Sequence, residues 1–212
     1  MIIAKFVAVV VIAYLLGSVP FGLIISKLRS GIDVRKYGSG KTGATNVMRT
    51  VGTKLGFLTI FLDGFKAGLA VQLARVIINN SILPIGSIPL DWQVAQVIAG
   101  IVALVGHNWP LFAKFKGGRG VAAYFGTLLV ISPPAAIFGI EVLAISALLS
   151  KHMSLGSMLG ALAAWCLLLT LTIINNSPAV YLIYGSIVTG LLVYLHRDNV
   201  KRLKQGTERK LW

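Results

Sequence analysis

Residues 120–150 read GVAAYFGTLLVISPPAAIFGIEVLAISALLS, and the division of this stretch decides how many times the chain crosses a membrane. As one helix it would be about 46 Å long at 1.5 Å per residue, far more than a ~30 Å hydrocarbon core requires. Ser132-Pro133-Pro134 breaks it, because proline lacks a backbone N–H and its ring clashes with the preceding turn. Two apolar segments result, 120–131 and 135–150. The first is too short to cross unaided, so it is expected to lie at an angle or beside an aqueous cavity where the bilayer is thinned.

Outward from this point, apolar runs at 2–26, 55–78, 93–106, 154–174 and 178–195 bring the predicted spans to seven. With the N-terminus outside, segments 27–54, 107–119, 151–153 and 196–212 lie inside and hold 17 of the 20 Lys and Arg residues, as the positive-inside rule demands. Only Lys5, Lys66 and Arg75 remain. Reading 120–150 as a single span would put the basic tail, 197–210, outside. The net charge of +14 is therefore topological, and no nucleic-acid partner is expected. A charged fraction of 12%, against about 25% in soluble domains, and a mean hydropathy of +0.83 agree. The expected fold is an all-α polytopic membrane protein of seven transmembrane helices, some short or broken, with the N-terminus outside and the C-terminus cytoplasmic. It forms one domain, 1–212. No cleaved signal peptide is expected, since the segment after Lys5 leads into further spans. A single cysteine, Cys166, offers no disulfide and no thiolate metal site.

Three inside segments carry more glycine and more specific polar residues than connectors need. They are 37–49, containing YGSGKTGATNVMR; 106–120, ending in FKGGRG; and 196–208, beginning HRDN. Glycines let backbone N–H groups turn toward an anion, Arg and Lys neutralise it, and a following helix presents its positive end. The chemistry indicated is phosphate binding, with glycine-rich turns bearing topogenic cations as the plainer alternative. Gly40-Lys41-Thr42 imitates a nucleotide-binding P-loop, but that motif needs glycine where Arg35 stands and a strand before it. In the second span Asp63 and Lys66 share a helical face and can neutralise each other. Gly52/Gly56 and Gly156/Gly160 have the spacing of close helix packing, and His152 reads as an interfacial residue.

These segments, in this order and spacing, resemble the bacterial acyl-phosphate:glycerol-3-phosphate acyltransferase family, membrane-integral enzymes that make lysophosphatidic acid. The resemblance covers nearly the whole chain: Gly17-Ser18-Val19-Pro20-Phe21-Gly22, the stretch from Gly38 to Arg49, Asp63 with Lys66, Gly106-His107, Phe115 to Ala122, Ser154-Leu155-Gly156-Ser157 and His196-Arg197-Asp198-Asn199. It implies catalytic roles for Ser39, Arg49, Arg119, His196 and Asn199, and phosphate or substrate binding by Asn46, Gly117, Gly118, Gly120 and Ser154. The family usually has Asn where Lys41 stands and Lys where Arg119 stands; the second change keeps the charge and alters donor geometry. The implied partners are glycerol 3-phosphate, acyl phosphate and membrane lipid. No cofactor or metal is implied, and the protein is expected to be a monomer in the bacterial cytoplasmic (inner) membrane with its active site facing the cytoplasm.

The chemistry stands beside the resemblance. An acyl phosphate is a mixed anhydride with a good leaving group, so a positioned alcohol can attack it without an acyl-enzyme intermediate. The site must offset repulsion between two phosphorylated molecules and stabilise a developing oxyanion. Other glycerol-phosphate acyltransferases carry His-x-x-x-x-Asp; here the corresponding positions after the three histidines are Phe112, Ser157 and Lys201. The rival readings are an organic-anion transporter, whose polar residues should run across the membrane, and a structural protein binding anionic lipid through its basic loops.

Overall fold

The computed structural model describes residues 2–85 and 88–211; position 86, expected outside, lies beyond the described residues. Its contacts divide into two compact units, Met1–Val130 and Ile131–Trp212. In the first, α1 (Ile2–Ser18), α4 (Thr53–Ile78) and α5 (Trp92–Asn108) pack on one another, joined by α2 (Phe21–Ser30), a 3-10 turn (Val34–Lys36) and α3 (Ala44–Thr50). A second 3-10 turn (Leu111–Ala113) leads to α6 (Val121–Ile131), whose last residue falls in the second unit. In the second unit α7 (Pro133–Ser150) packs on α8 (Met153–Ile173), α8 on α9 (Ala179–Leu195), and α10 (Arg197–Lys204) follows.

Each of the seven apolar runs is helical, but their division differs from expectation in two places. The first run, read as one span over 2–26, breaks at Val19-Pro20 and continues as α2 to Ser30, where Gly31 closes it in the left-handed conformation at φ 66°. Pro20 forces the break, having no N–H to give the preceding turn. Judged by length and apolarity, five helical segments can cross a membrane: Ile2–Ser30, Thr53–Ile78, Trp92–Ala113, Pro133–Ser150 and Met153–Ile173. α9 joins them as a sixth if it is taken with α10 across a 52° bend, while α6 has only 11 residues. The loop 79–91 also holds two short antiparallel strands not anticipated from sequence, β1 (Leu83–Ile85) and β2 (Ile88–Leu90).

Glycine decides how closely the helices approach. A Cβ at Gly156 would lie 2.6 Å from the Leu143 carbonyl oxygen, and one at Gly160 would lie 2.5 Å from that of Gly139; α7 and α8 therefore touch backbone to backbone. Gly126 of α6 meets the backbone of Gly64 in α4 in the same way. The expected Gly52/Gly56 pair divides its labour. Gly56 makes room for Met48 of α3, whereas Gly52 has open space around it and φ 130° as the N-cap of α4, so its glycine serves the backbone and not packing.

Candidate active site

The first glycine-rich segment is organised from within. Asp33 caps the 3-10 turn, its Oδ1 accepting from the Arg35 N–H at 3.0 Å and Nε at 2.9 Å, and its Oδ2 from the far guanidinium nitrogen at 2.7 Å. Arg35 also donates to the Ala113 carbonyl at 2.9 Å, tying this segment to the one before Gly117. The residue that spoils the P-loop pattern is thus a strut between loops. The Arg35 guanidinium holds the Asp33 carboxyl down at about 2. Because the folded value lies below the unfolded value of ~3.9, the pair's contribution is complete above that pH and is lost as pH falls through about 2. Proteolysis of loop 31–43 should therefore accelerate only on acidification below ~pH 4. Asp33→Asn should be cut faster at neutral pH already, and equal cutting of the two proteins would contradict the strut.

Asn46, buried at the start of α3, commits its whole side chain to this loop. Its Nδ2 donates to the carbonyls of Val34 (2.9 Å), Tyr37 (3.1 Å) and Lys41 (2.9 Å), and its Oδ1 accepts from the Ser39 N–H at 3.0 Å. Ser39 is held in place by that bond and is half-buried, while Arg49 lies on the exposed side of α3. A cleft of ≈ 420 Å³ opens beside them, lined by Asp33, Arg35, Lys36, Gly40, Lys114 and Lys116.

The second segment leads into α6. Lys114 and Phe115 adopt left-handed backbone at φ 55° and 58°, turning the chain back so that Gly117 and Gly118 lie against His107 at the end of α5. A Cβ at Gly117 would lie 2.6 Å from Pro110 Cδ and 2.7 Å from the Asn108 carbonyl oxygen. Gly120, at φ 82°, has Asn108 Oδ1 and Leu104 Cδ1 at 2.8 Å from where its Cβ would be, and its carbonyl accepts the Tyr124 N–H at 2.7 Å in the first turn of α6. Every glycine of the turn is sterically required, and half-buried Arg119 stands among them at the positive end of that helix.

In the second unit the feature that sequence reading did not assign is Glu208. Its Oε1 accepts from Ser154 Oγ at 2.8 Å and from Asn199 Nδ2 at 2.6 Å, and its Oε2 accepts from Arg202 Nε at 2.7 Å. Burial pushes this carboxyl up, but the hydrogen bonds from Asn199, Ser154 and Arg202 outweigh it and hold it below its ordinary value. The bonds join two residues named from the sequence, Ser154 and Asn199. Asn199 Oδ1 is buried with no hydrogen-bond partner among the described residues. His196 is buried at the junction of α9 and α10, its Nδ1 2.8 Å from the Leu192 carbonyl. The tautomer that donates there leaves Nε2 as the basic nitrogen. Placement of a lone glutamate opposite Asn199 has no periodic signature; only its position within the HRDN-to-Glu208 segment pointed toward it.

Cations set among sterically required glycines, on an apolar helical frame, define an integral-membrane protein built to handle phosphorylated ligands. Residues 7–206 match the sequence model of the glycerol-3-phosphate acyltransferase family, and the chain belongs to that family. It is 49% identical over 211 residues to glycerol-3-phosphate acyltransferase 3 of Dehalococcoides mccartyi, covering 100% of this chain and 98% of the relative. It is 38% identical over 200 residues to the glycerol-3-phosphate acyltransferase of Thermus thermophilus, covering 94% and 92%. The crystal structure of PlsY (YgiH), an integral membrane glycerol 3-phosphate acyltransferase, in its glycerol 3-phosphate form superposes with a TM-score of 0.83 at 33% identity, over 97% of this chain and 94% of that one. Its lysophosphatidic acid form gives 0.82 at the same identity and coverage.

Proposed function

We propose that the chain transfers a fatty acyl group from acyl phosphate to the 1-hydroxyl of glycerol 3-phosphate, giving lysophosphatidic acid and phosphate. The observation that carries this reading is turn 117–120, where three glycines that admit no side chain bring Arg119 to the N-terminus of α6. That is an anion site of fixed shape. Family membership supplies the reaction class, and the absence of His-x-x-x-x-Asp favours acyl phosphate as donor.

In the proposed step the hydroxyl oxygen attacks the acyl carbon directly, the bond from that carbon to the phosphate oxygen breaks, and the electron pair leaves with phosphate. A substrate phosphate oxygen takes the hydroxyl proton. Arg49 and Arg119 offset the charge of the two phosphorylated substrates, with Ser39 beside them. Gly117, Gly118 and Gly120 supply the turn. Asn46 serves the phosphate through the loop it clamps. His196 and Asn199 orient the attacking hydroxyl; the basic nitrogen of His196 and the partnerless Oδ1 of Asn199 suit a hydroxyl donor. Ser154 steadies Asn199 through Glu208. No acyl-enzyme forms and no cofactor takes part.

On this reading residues 1–212 act as one acyltransferase domain, a monomer in the bacterial inner membrane with seven crossing helices, the N-terminus outside and the reacting groups on the cytoplasmic side. Single cysteines at positions 40, 116, 151 and 205 in a Cys166→Ala background should resist an impermeant thiol reagent in intact cells, and one at 86 should react. Labelling at 205 without permeabilisation would overturn this topology. For the reaction, purified protein should form lysophosphatidic acid and phosphate in equal amounts from acyl phosphate and glycerol 3-phosphate, with chelator present. Product without equimolar phosphate would exclude the proposed step.

A further inference from the structure

Below turn 117–120 lies a buried group of side chains to which the proposed reaction gives no part. Asp63 and Lys66, one turn apart on α4, form an ion pair at 2.8 Å with both side chains no more than 4% exposed. Lys66 Nζ also donates to the Val19 carbonyl at 2.5 Å, fastening the pair to the break between α1 and α2. On the other side, His107 Nδ1 stands 3.6 Å from Asp63 Oδ1, its side chain 5% exposed. Lys66 alone suffices to neutralise Asp63, so charge balance leaves the histidine unexplained.

Its opposite edge supplies the explanation. A Cβ at Gly118 would overlap His107 Nε2, and one at Gly117 would overlap the His107 carbonyl oxygen. That carbonyl faces the Gly118 N–H at 3.4 Å. His107 thus meets the turn twice, by main chain at 117–118 and by the ring edge under Gly118. The Asp63 carboxylate selects which edge faces upward, since it attracts the Nδ1 side and leaves Nε2 against the glycine. An apolar side chain of similar volume would fill the space without any such orientation.

We propose that His107 is a positioning residue for turn 117–120, oriented by Asp63, and that it thereby sets where Arg119 and the first N–H groups of α6 meet the phosphate of the acyl donor. The inference rests on the reading of that turn as the donor-phosphate site. It predicts an effect on donor recognition, whereas a residue needed only for packing would change stability and leave substrate affinities alone.

The test compares wild type with His107→Ala, His107→Gln and Asp63→Asn, and adds Gly118→Ala alone and with His107→Ala. Kinetics with acyl phosphate and glycerol 3-phosphate, binding of a long-chain acyl phosphonate, and thermal unfolding in detergent are the readouts. His107→Ala should raise KM for acyl phosphate about tenfold while KM for glycerol 3-phosphate stays within about threefold. Phosphonate affinity should fall in parallel. His107→Gln, which restores a polar group at the far edge, should recover most of the loss, and Asp63→Asn should lie between. Gly118→Ala should be severe with the ring present and much milder without it. Folded His107→Ala protein with native KM and phosphonate affinity would overturn the inference. So would aggregation of both the Ala and Gln proteins, which would assign the residue to folding, or equal damage from Gly118→Ala in both backgrounds. Wild type that binds the phosphonate and fails to turn over acyl phosphate would instead refute the proposed donor, with the binding comparison still deciding the role of His107. Wild type that does neither would refute both.

Discussion

Arg119→Ala is expected to lower kcat/KM at least about tenfold, the effect of losing roughly 1.4 kcal/mol of transition-state stabilisation, in protein that still extracts and folds normally. The residue stands between two glycines whose Cβ positions are occupied by neighbouring atoms, so the turn holding it cannot relax toward another cation. Arg119→Lys should retain measurable activity, because a charge near the reacting phosphate survives even though the planar fork of donors does not. The competing account makes Arg119 one of 17 topogenic charges, whose removal would hardly alter the rate. Steady-state kinetics of the two variants separate the accounts: near-native turnover of folded Arg119→Ala would remove the residue and weaken the assignment of its whole loop.

Glu208→Ala should have the larger effect. Three donors converge on this carboxylate, from Ser154, Asn199 and Arg202, and its own side chain is 7% exposed. Hydrogen bonds to a charged acceptor contribute ~1.5–3 kcal/mol each where water is excluded. The Arg202 contribution is discounted for screening, since that side chain is 37% exposed. Asn199 then loses the contact that fixes its amide, and a displaced orienting group costs about a hundredfold in rate. We expect Glu208→Ala to fall at least that far, and protease to cut the 196–211 tail faster. Glu208→Gln, which keeps one acceptor oxygen, should be intermediate. The carboxyl lies below its ordinary value in the fold, so its stabilising effect is present above the unfolded value of ~4.3 and fades as pH drops beneath it. Native kinetics in folded Glu208→Ala would show that Asn199 is positioned without it.

What the sequence made legible follows from the kind of information each feature needs. Apolar runs and cation placement report on lipid and water independently of tertiary contacts, so all seven runs emerged as helices. The break at Val19-Pro20 was visible as a proline, yet whether the helix bends or ends there depends on what receives the Val19 carbonyl, and that is Lys66, far along the chain. The glycine-rich segments were conspicuous because glycine is costly unless a close approach requires it. Which atom makes each approach was not readable: Gly52 and Gly56 look alike in sequence, but one frees the backbone and the other admits Met48. Asn46, Arg35 and Glu208 act by gathering groups from different turns of chain, and such convergence leaves no period to find. Asp63 and Lys66 were recognisable as a pair by their spacing. His107, the third member, comes from another helix, and only the three-dimensional contact joins it to them.

The acyl donor is the central claim, and comparing donors on one preparation tests it most directly. Purified protein in lipid nanodiscs is given glycerol 3-phosphate with palmitoyl phosphate, palmitoyl-CoA or palmitoyl-acyl-carrier protein, without metal or nucleotide, and lysophosphatidic acid is measured over time. Palmitoyl phosphate should support rapid, stoichiometric product formation, and the two thioesters little or none. Robust turnover with palmitoyl-CoA and none with palmitoyl phosphate would contradict the account.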